Sequence, residues 1–463
     1  MTSYSLYTYN NLRQKGIIPE HTPYGDIGTP GGLGFGVGIY PSIDDLSDYN
    51  LTPAANAYRR GSDNYGNYIH SNGSIMVFIP KFYYRIGNVA APAYPTFGDN
   101  TIEIRGVKDY ENEVAANVDG FILHRAFIDG GLEKSGFFID KYEASQSLSD
   151  SNIAVSVKNG IPISLTTTTT FTRSATMTGC VGQLLDAVKL SRDRGTGYNC
   201  SSIFMKSALA MLALCHAQNT TSSEFNEWYD ETDVINFPKG NNNSALADVN
   251  DTSTMFTTAG DSGDANKART GSGVNFKKTT HNGQTCGVAD INGNMWEVNI
   301  GITQPGTTAG GSGTGVGNTI YVLKESVSFG SLTQGWDGAT DAWGNTTHLN
   351  TLYDSVTAPI SLSGLGGWIS WGNGTTGVFH TDISGINRAL CGVLPISDSA
   401  TSAGGIDILG KDGIYRYVIE NMCIRSGGDW SNGTLSGCFT SAWDIWRTTS
   451  SATTAFRSAL YVS

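Results

Sequence analysis

Hydrophobic and polar positions along this chain alternate in short runs, separated by stretches rich in Gly, Asn, Ser and Thr. Residues 3–10 (SYSLYTYN) alternate small polar with large side chains and predict an edge strand. Residues 75–86 (IMVFIPKFYYRI) predict two strands broken at Pro80, because proline has no N–H to give to a ladder. Residues 136–143 (GFFIDKYE) predict a strand, 166–170 a β-prone or exposed run of threonines, and 415–419 (YRYVI) a strand leading to Cys423. The strongest helical period covers 201–218, with Ile203, Phe204, Ala208, Met211, Leu212 and Cys215 on one face. Residues 223–228 predict a further short helix capped by Ser222 or Ser223. Residues 238–283 carry few apolar anchors and read as a functional insertion or a meandering loop wall, and 305–317 as a turn region.

Composition narrows the class. The chain has 463 residues, long enough for two or three domains and a substantial core. Charged residues make up only 15% and aromatics 10%, with 58 glycines, which suits a rigid, loop-rich, β-dominated extracellular or virion protein. The net charge of −12, without a basic stripe beyond Lys277-Lys278 and Arg59-Arg60, argues against nucleic-acid binding. Seven cysteines without C-x-x-C spacing argue against a disulfide scaffold or a zinc site, and read as buried thiols. The first residues lack the basic and apolar regions of a signal peptide, and no apolar run approaches the roughly 18 residues of a membrane span. The expectation is a protein made in a cytoplasm, not inserted in membranes, and, if it works outside, carried there on an assembled particle.

The chemical inventory is thin. There is no H-E-x-x-H, G-x-S-x-G or phosphate loop, and the glycine run 31–38 lacks dinucleotide spacing, so it reads as structural. His216 has no second histidine at i+4 and also reads as structural. The clusters 335–344 and 366–372 (GGWISWG) mix Trp with Gly, and can either stack sugars or fill gaps between short strands. The richest stretch is 424–460, IRSGGDWSNGTLSGCFTSAWDIWRTTSSATTAFRSAL, where rigid aromatics stand among small hydrogen-bonding residues without Lys or Glu. A solvated coil would hold more charge, a core segment more apolar residues; this mixture resembles an antibody-type contact surface.

Two motifs in this region carry a family resemblance. Residues 286–297 (CGVADINGNMWE) are similar to the "G-L-x-D-x-x-G-N-V-W-E" segment of the formylglycine-generating-enzyme branch of the C-type lectin fold. The ending is similar to that branch's "R-G-G-S-W … G-F-R", and FFIDKYE at 137–143 echoes its entry strand. Within the branch, Gly427, Gly428, Trp430, Asn432, Gly433, Gly437, Phe439, Arg447, Phe456, Arg457, Ser458 and Ala459 match the variable region of proteins diversified by retroelements, of which phage tropism determinants are the best known.

The resemblance implies an α+β chain. A C-type lectin fold domain would span 119–463, with a variable-type region at 429–460, behind a β-rich domain at 1–118 for particle attachment and oligomerisation. It implies a receptor-binding protein of a phage tail tip or tail fibre in the virion, gripping a host cell-surface receptor (protein or glycan) without chemistry. Its partners would be other tail proteins and two further copies in a homotrimer. The implied contact residues are Asp429, Ser431, Leu435, Thr440, Ala442, Trp443, Asp444, Ile445, Trp446, Thr449, Ser451 and Thr453. No cofactor is expected; related folds hold structural calcium near Gly293, Asn294 and Glu297, but hydrogen bonding around Trp296 is the preferred account. Two alternatives stay open. A formylglycine-type oxidase is disfavoured because Cys438 stands alone where the enzyme needs a cysteine pair; a glycan-binding lectin of a tail fibre would use the Trp-Gly clusters.

Overall fold

The computed structural model describes residues 24–147, 153–165, 183–220, 253–256, 267–274, 276–304, 318–332, 350–362, 367–371, 376–382, 385–396, 409, 412–417, 419–432, 435–447, 449 and 451–462. The elements expected at 3–10, 166–170 and 223–228, the turn region 305–317, the Trp-Gly cluster at 335–344 and most of 238–283 lie outside the described residues. The strands that position the site are β1 (Leu51–Pro53), β2 (Asn67–His70), β3 (Ile75–Pro80), β4 (Gly136–Asp140), β5 (Tyr198–Cys200), β6 (Trp296–Thr303) and β7 (Thr319–Leu323). They continue with β8 (Tyr353–Thr357), β9 (Trp368–Ser370), β10 (Gly413–Tyr415), β11 (Met422–Gly427), β12 (Gly437–Trp446), β13 (Thr454–Ala455) and β14 (Ser458–Val462). Two helices pack on them, α1 (Gln183–Arg192) and α2 (Ile203–Asn219). The architecture is mixed α+β.

The first sheet runs β1-β2-β3-β4-β14-β5, each pair antiparallel. Its central strands β3, β4 and β14 are buried at nearly every position because both faces are covered. Val77, Ile79, Phe137, Ile139 and Ala459 enter the main core. Met76, Phe78, Phe138, Leu460 and Val462 enter a second core with Tyr40, Tyr68 and Tyr198. The boundary expected at residue 118 falls inside this sheet: β3 pairs with β4 across it, and the last strand of the described chain, β14, lies between β4 and β5. The main core likewise runs from Ile27 to Ala459. Residues 24–118 therefore bury their apolar side chains against the rest of the chain, not in a core of their own.

The second sheet runs β8-β7-β6-β11-β12-β10-β9, with β13 pairing β6. The β10–β12 and β6–β13 pairs are parallel; the others are antiparallel. Helix α2 lies against β6, β11 and β12. It begins where Ser202 accepts a hydrogen bond from Met205 N at 3.2 Å, as an N-cap should. The sequence gives α2 one apolar face, but every residue from Ile203 to His216 is buried. The helix is central: the second sheet covers one side, while the strand Ile102–Gly106 and the turn Arg125–Phe127 cover others.

Candidate functional site

The motif residues meet at one buried guanidinium. Arg457, between β13 and β14, donates from Nε to Glu297 Oε2 at 2.8 Å. Its other nitrogens donate to the carbonyls of Asp140, Lys141, Ala289 and Asp290. Glu297 also lies 2.7 Å from Lys206 Nζ of α2. Asn294 Nδ2 donates to Glu143 Oε2 at 2.8 Å, and Asp140 holds both Arg194 and the backbone N–H of Ser458. Burial, reinforced by Asp290 and Glu297, pushes the Glu143 carboxyl well above its usual range, and burial pulls Lys206 down to about 8. Thus 140–143, 289–297 and 456–458, far apart in sequence, are tied by a fork of donors that only arginine supplies. Asn294 and Glu297 are engaged in these bonds. Among the described residues, no group of three or more His, Cys, Asp or Glu is placed to hold a metal.

Beside this hub the second sheet carries a row of side chains across four strands. The register aligns Trp368 with Tyr415, Tyr415 with Ala442, and Ala442 with Arg425. Trp368 stacks on Trp296 with ring centroids 6.2 Å apart and planes 12° from parallel. Tyr415 meets Trp368 edge-on at 5.4 Å. Arg425 places its guanidinium 4.9 Å from the Trp296 ring centre and pairs with Asp444 Oδ1 at 2.9 Å. Trp368 and Tyr415 are half-buried, and Asp444 keeps 28% of its side chain exposed while Arg425 keeps 8%. A buried cation thus fixes a reachable carboxylate next to an aromatic shelf.

Two glycines let this face form. Gly428 has φ +84°, and a Cβ there would fall 2.4 Å from Ser436 Oγ, so the turn into 429–436 closes only without a side chain. A Cβ at Gly437 would overlap the carboxylate of Asp412, whose Oδ2 accepts the Phe439 N–H at 2.9 Å.

The predicted contact residues divide. Leu435 and Trp368 flank Gly413, and Asp444 meets Arg425, so both lie on the aromatic row. Thr453 accepts the Trp296 N–H at 2.9 Å and its hydroxyl lies 3.1 Å from Ser451 Oγ; both are half-buried beside the row. Ser431 is exposed on the preceding turn. Ile445 and Trp446, half-buried, pack on the main core at the far end of β12, followed by Thr449.

Four expectations are corrected. Trp443 is fully buried, with Nε1 donating to Ser441 Oγ at 2.9 Å, so it is a core residue and not a contact anchor. Thr440 and Ala442 are buried because β10 and β9 extend the sheet past β12, making β12 an interior strand. Asp429 is buried and caps its own turn, accepting from Ser431 N at 2.8 Å and Ser431 Oγ at 2.6 Å. The sequence reading missed Tyr415 and Arg425 as site residues; the Trp-Gly run at 366–372 was the available signal for this edge of the sheet.

Cys438 is a buried free cysteine, and so are Cys200, Cys215, Cys286, Cys391 and Cys423. Among the described residues no helix is long and apolar enough to cross a membrane. No protein-family model matches the chain, and no curated protein matches it.

Proposed function

We propose that this chain is a phage or phage-like receptor-binding protein of the tail tip or tail fibre, built on a C-type lectin fold of the formylglycine-generating-enzyme branch. It attaches the particle to a host cell-surface ligand through the face around Trp368, Tyr415, Leu435, Asp444, Ser451 and Thr453. One observation carries the reading. Glu297 and Asp290 of one motif segment and Asp140 and Lys141 of another join at Arg457 of the ending, whereas several of the variable-type positions stay half-exposed beside a shelf of aromatic rings. Rigid aromatics with small hydroxyl neighbours are the composition of a contact surface that binds at low cost in side-chain entropy. The fixed charges are spent on the scaffold, and the role needs no chemistry. Attachment to other tail proteins and assembly as a homotrimer belong to the same reading.

The test is adsorption of the fluorescently labelled full chain to a panel of bacterial strains. A Leu435→Arg/Thr453→Arg double variant should melt like the parent and lose binding to every strain the parent binds. A parent that adsorbs to none of the strains, or a double variant that adsorbs as well as the parent, contradicts the proposal.

A further inference from the structure

We infer that the ligand of this face is a carbohydrate chain, with the Trp368 ring as the platform for one sugar ring and Asp444, two strands away, as the acceptor for hydroxyls of another ring of the chain. The inference rests on the receptor-binding reading above and names its ligand class. Two observations carry it together.

The first is the shape of the aromatic part. Arg425, Trp296 and Trp368 form a layered stack, closed at one side by Tyr415 edge-on to Trp368. Trp296 is only 3% exposed, so Trp368 is the ring of this pair that meets solvent. A single supported ring offers a flat apolar surface the size of one pyranose, whose axial C–H groups pack on a π face.

The second is the polar rim. Asp444 Oδ1 is held by Arg425, while Oδ2 accepts no hydrogen bond from the described residues and the side chain is partly open to solvent. A carboxylate locked by an arginine is a strong acceptor for hydroxyl donors. The hydroxyls of Ser451 and Thr453 lie on the neighbouring turn beside Trp296. Each is a small group able to donate or accept, as a polyhydroxylated ligand requires.

The experiment uses the full chain on a strain that the parent protein binds. Cells are treated with periodate, which cleaves vicinal diols, or with a broad protease, and polysaccharide extracted from the same strain is tested as a soluble competitor. The expected result is loss of adsorption after periodate, retention after protease, and competition by the polysaccharide. Trp368→Ala and Asp444→Asn should each weaken adsorption about tenfold or more, with Trp368→Phe recovering part of it. Circular dichroism and melting temperature show that the variants fold; if Trp368→Ala does not, Tyr415→Ala and Asp444→Asn decide. Loss after protease with retention after periodate makes the ligand a protein and overturns the inference while the receptor-binding reading survives. Folded variants with unchanged adsorption overturn the site. A parent that binds no strain overturns the receptor-binding reading itself.

Discussion

Single residues divide between those that hold the scaffold and those that face outward, and Trp443 and Trp368 show the division. Both lie on strands of the second sheet, yet one is fully buried and the other half-buried. Trp443→Ala should cost about 3–5 kcal/mol, the range for removing a large buried ring, and should lower the denaturant midpoint. Trp368→Ala, which removes a half-buried ring stacked on Trp296, should lower that midpoint by clearly less. Arg457→Lys retains the charge but cannot serve Glu297 and four carbonyls at once, so a loss of about 3 kcal/mol or more is expected in the same measurement. The histidines set the acid limit. His124, His216 and His281 each accept a backbone N–H at Nδ1, from Ala126, Gly31 and Val288, so each is held in the neutral Nε2–H form. Burial lowers them to about 3, 4 and 3. Because the unfolded chain takes up these protons first, their stabilisation is complete above about pH 6.5 and is lost as pH falls toward 3–4. Each contributes a slope of about 1.4 kcal/mol per pH unit in that window. Glu143 and Asp290, raised by burial, oppose the trend, since the folded state takes up their protons first. Histidines outnumber them, as burial lowers His70 and His380 as well. Melting temperature should therefore fall on acidification from pH 6.5 to pH 4.5; a flat or rising profile contradicts the assignment.

At the scale of elements, local pattern was legible where burial follows it. The strands at 75–80 and 82–86 and the helix Ile203–Asn219 stand within two residues of where apolar runs, Pro80 and the Ser202 cap put them. The strand expected over 415–419 instead ends at Tyr415, because the pairing that defines it, Tyr415 with Trp368 and Ala442, stops there. What local pattern does not carry is lateral neighbourhood. Nothing in GCFTSAWDIW says that β10 will add to β12 in parallel from a segment some 25 residues earlier, yet that addition buries Thr440 and Ala442. Likewise Asp429 reads as a surface carboxylate until the turn it caps is seen. The motif pair at 286–297 and 456–459 was more informative: the residues it singles out, Glu297 and Arg457, are hydrogen-bonded. Gly437→Ala tests the same level. The new methyl would overlap Asp412, which holds the start of β12, so the variant should be strongly destabilised, by about 2 kcal/mol or more, in a denaturant melt.

At the scale of the whole molecule, β14 sits inside the first sheet, and strands from the first quarter of the chain complete that sheet. Removal of residues 1–118 would strip β3 from β4 and expose the ring of Phe138, so the fragment 119–463 should be recovered unfolded or aggregated. The attachment and oligomerisation role proposed for the first block then has to be played from its surface while its strands serve the common fold. Three copies presenting one face each would raise avidity by roughly a hundredfold or more when all can engage. The central claim is that the face around Trp368 meets the host ligand. Oxidative footprinting of the full chain, read by mass spectrometry with and without envelope from a binding strain, tests it most directly. The account predicts protection of Trp368 and Tyr415, with no change at the exposed Tyr58 or at buried Trp443. Protection confined to residues 24–118, or none at Trp368 despite binding, would contradict it.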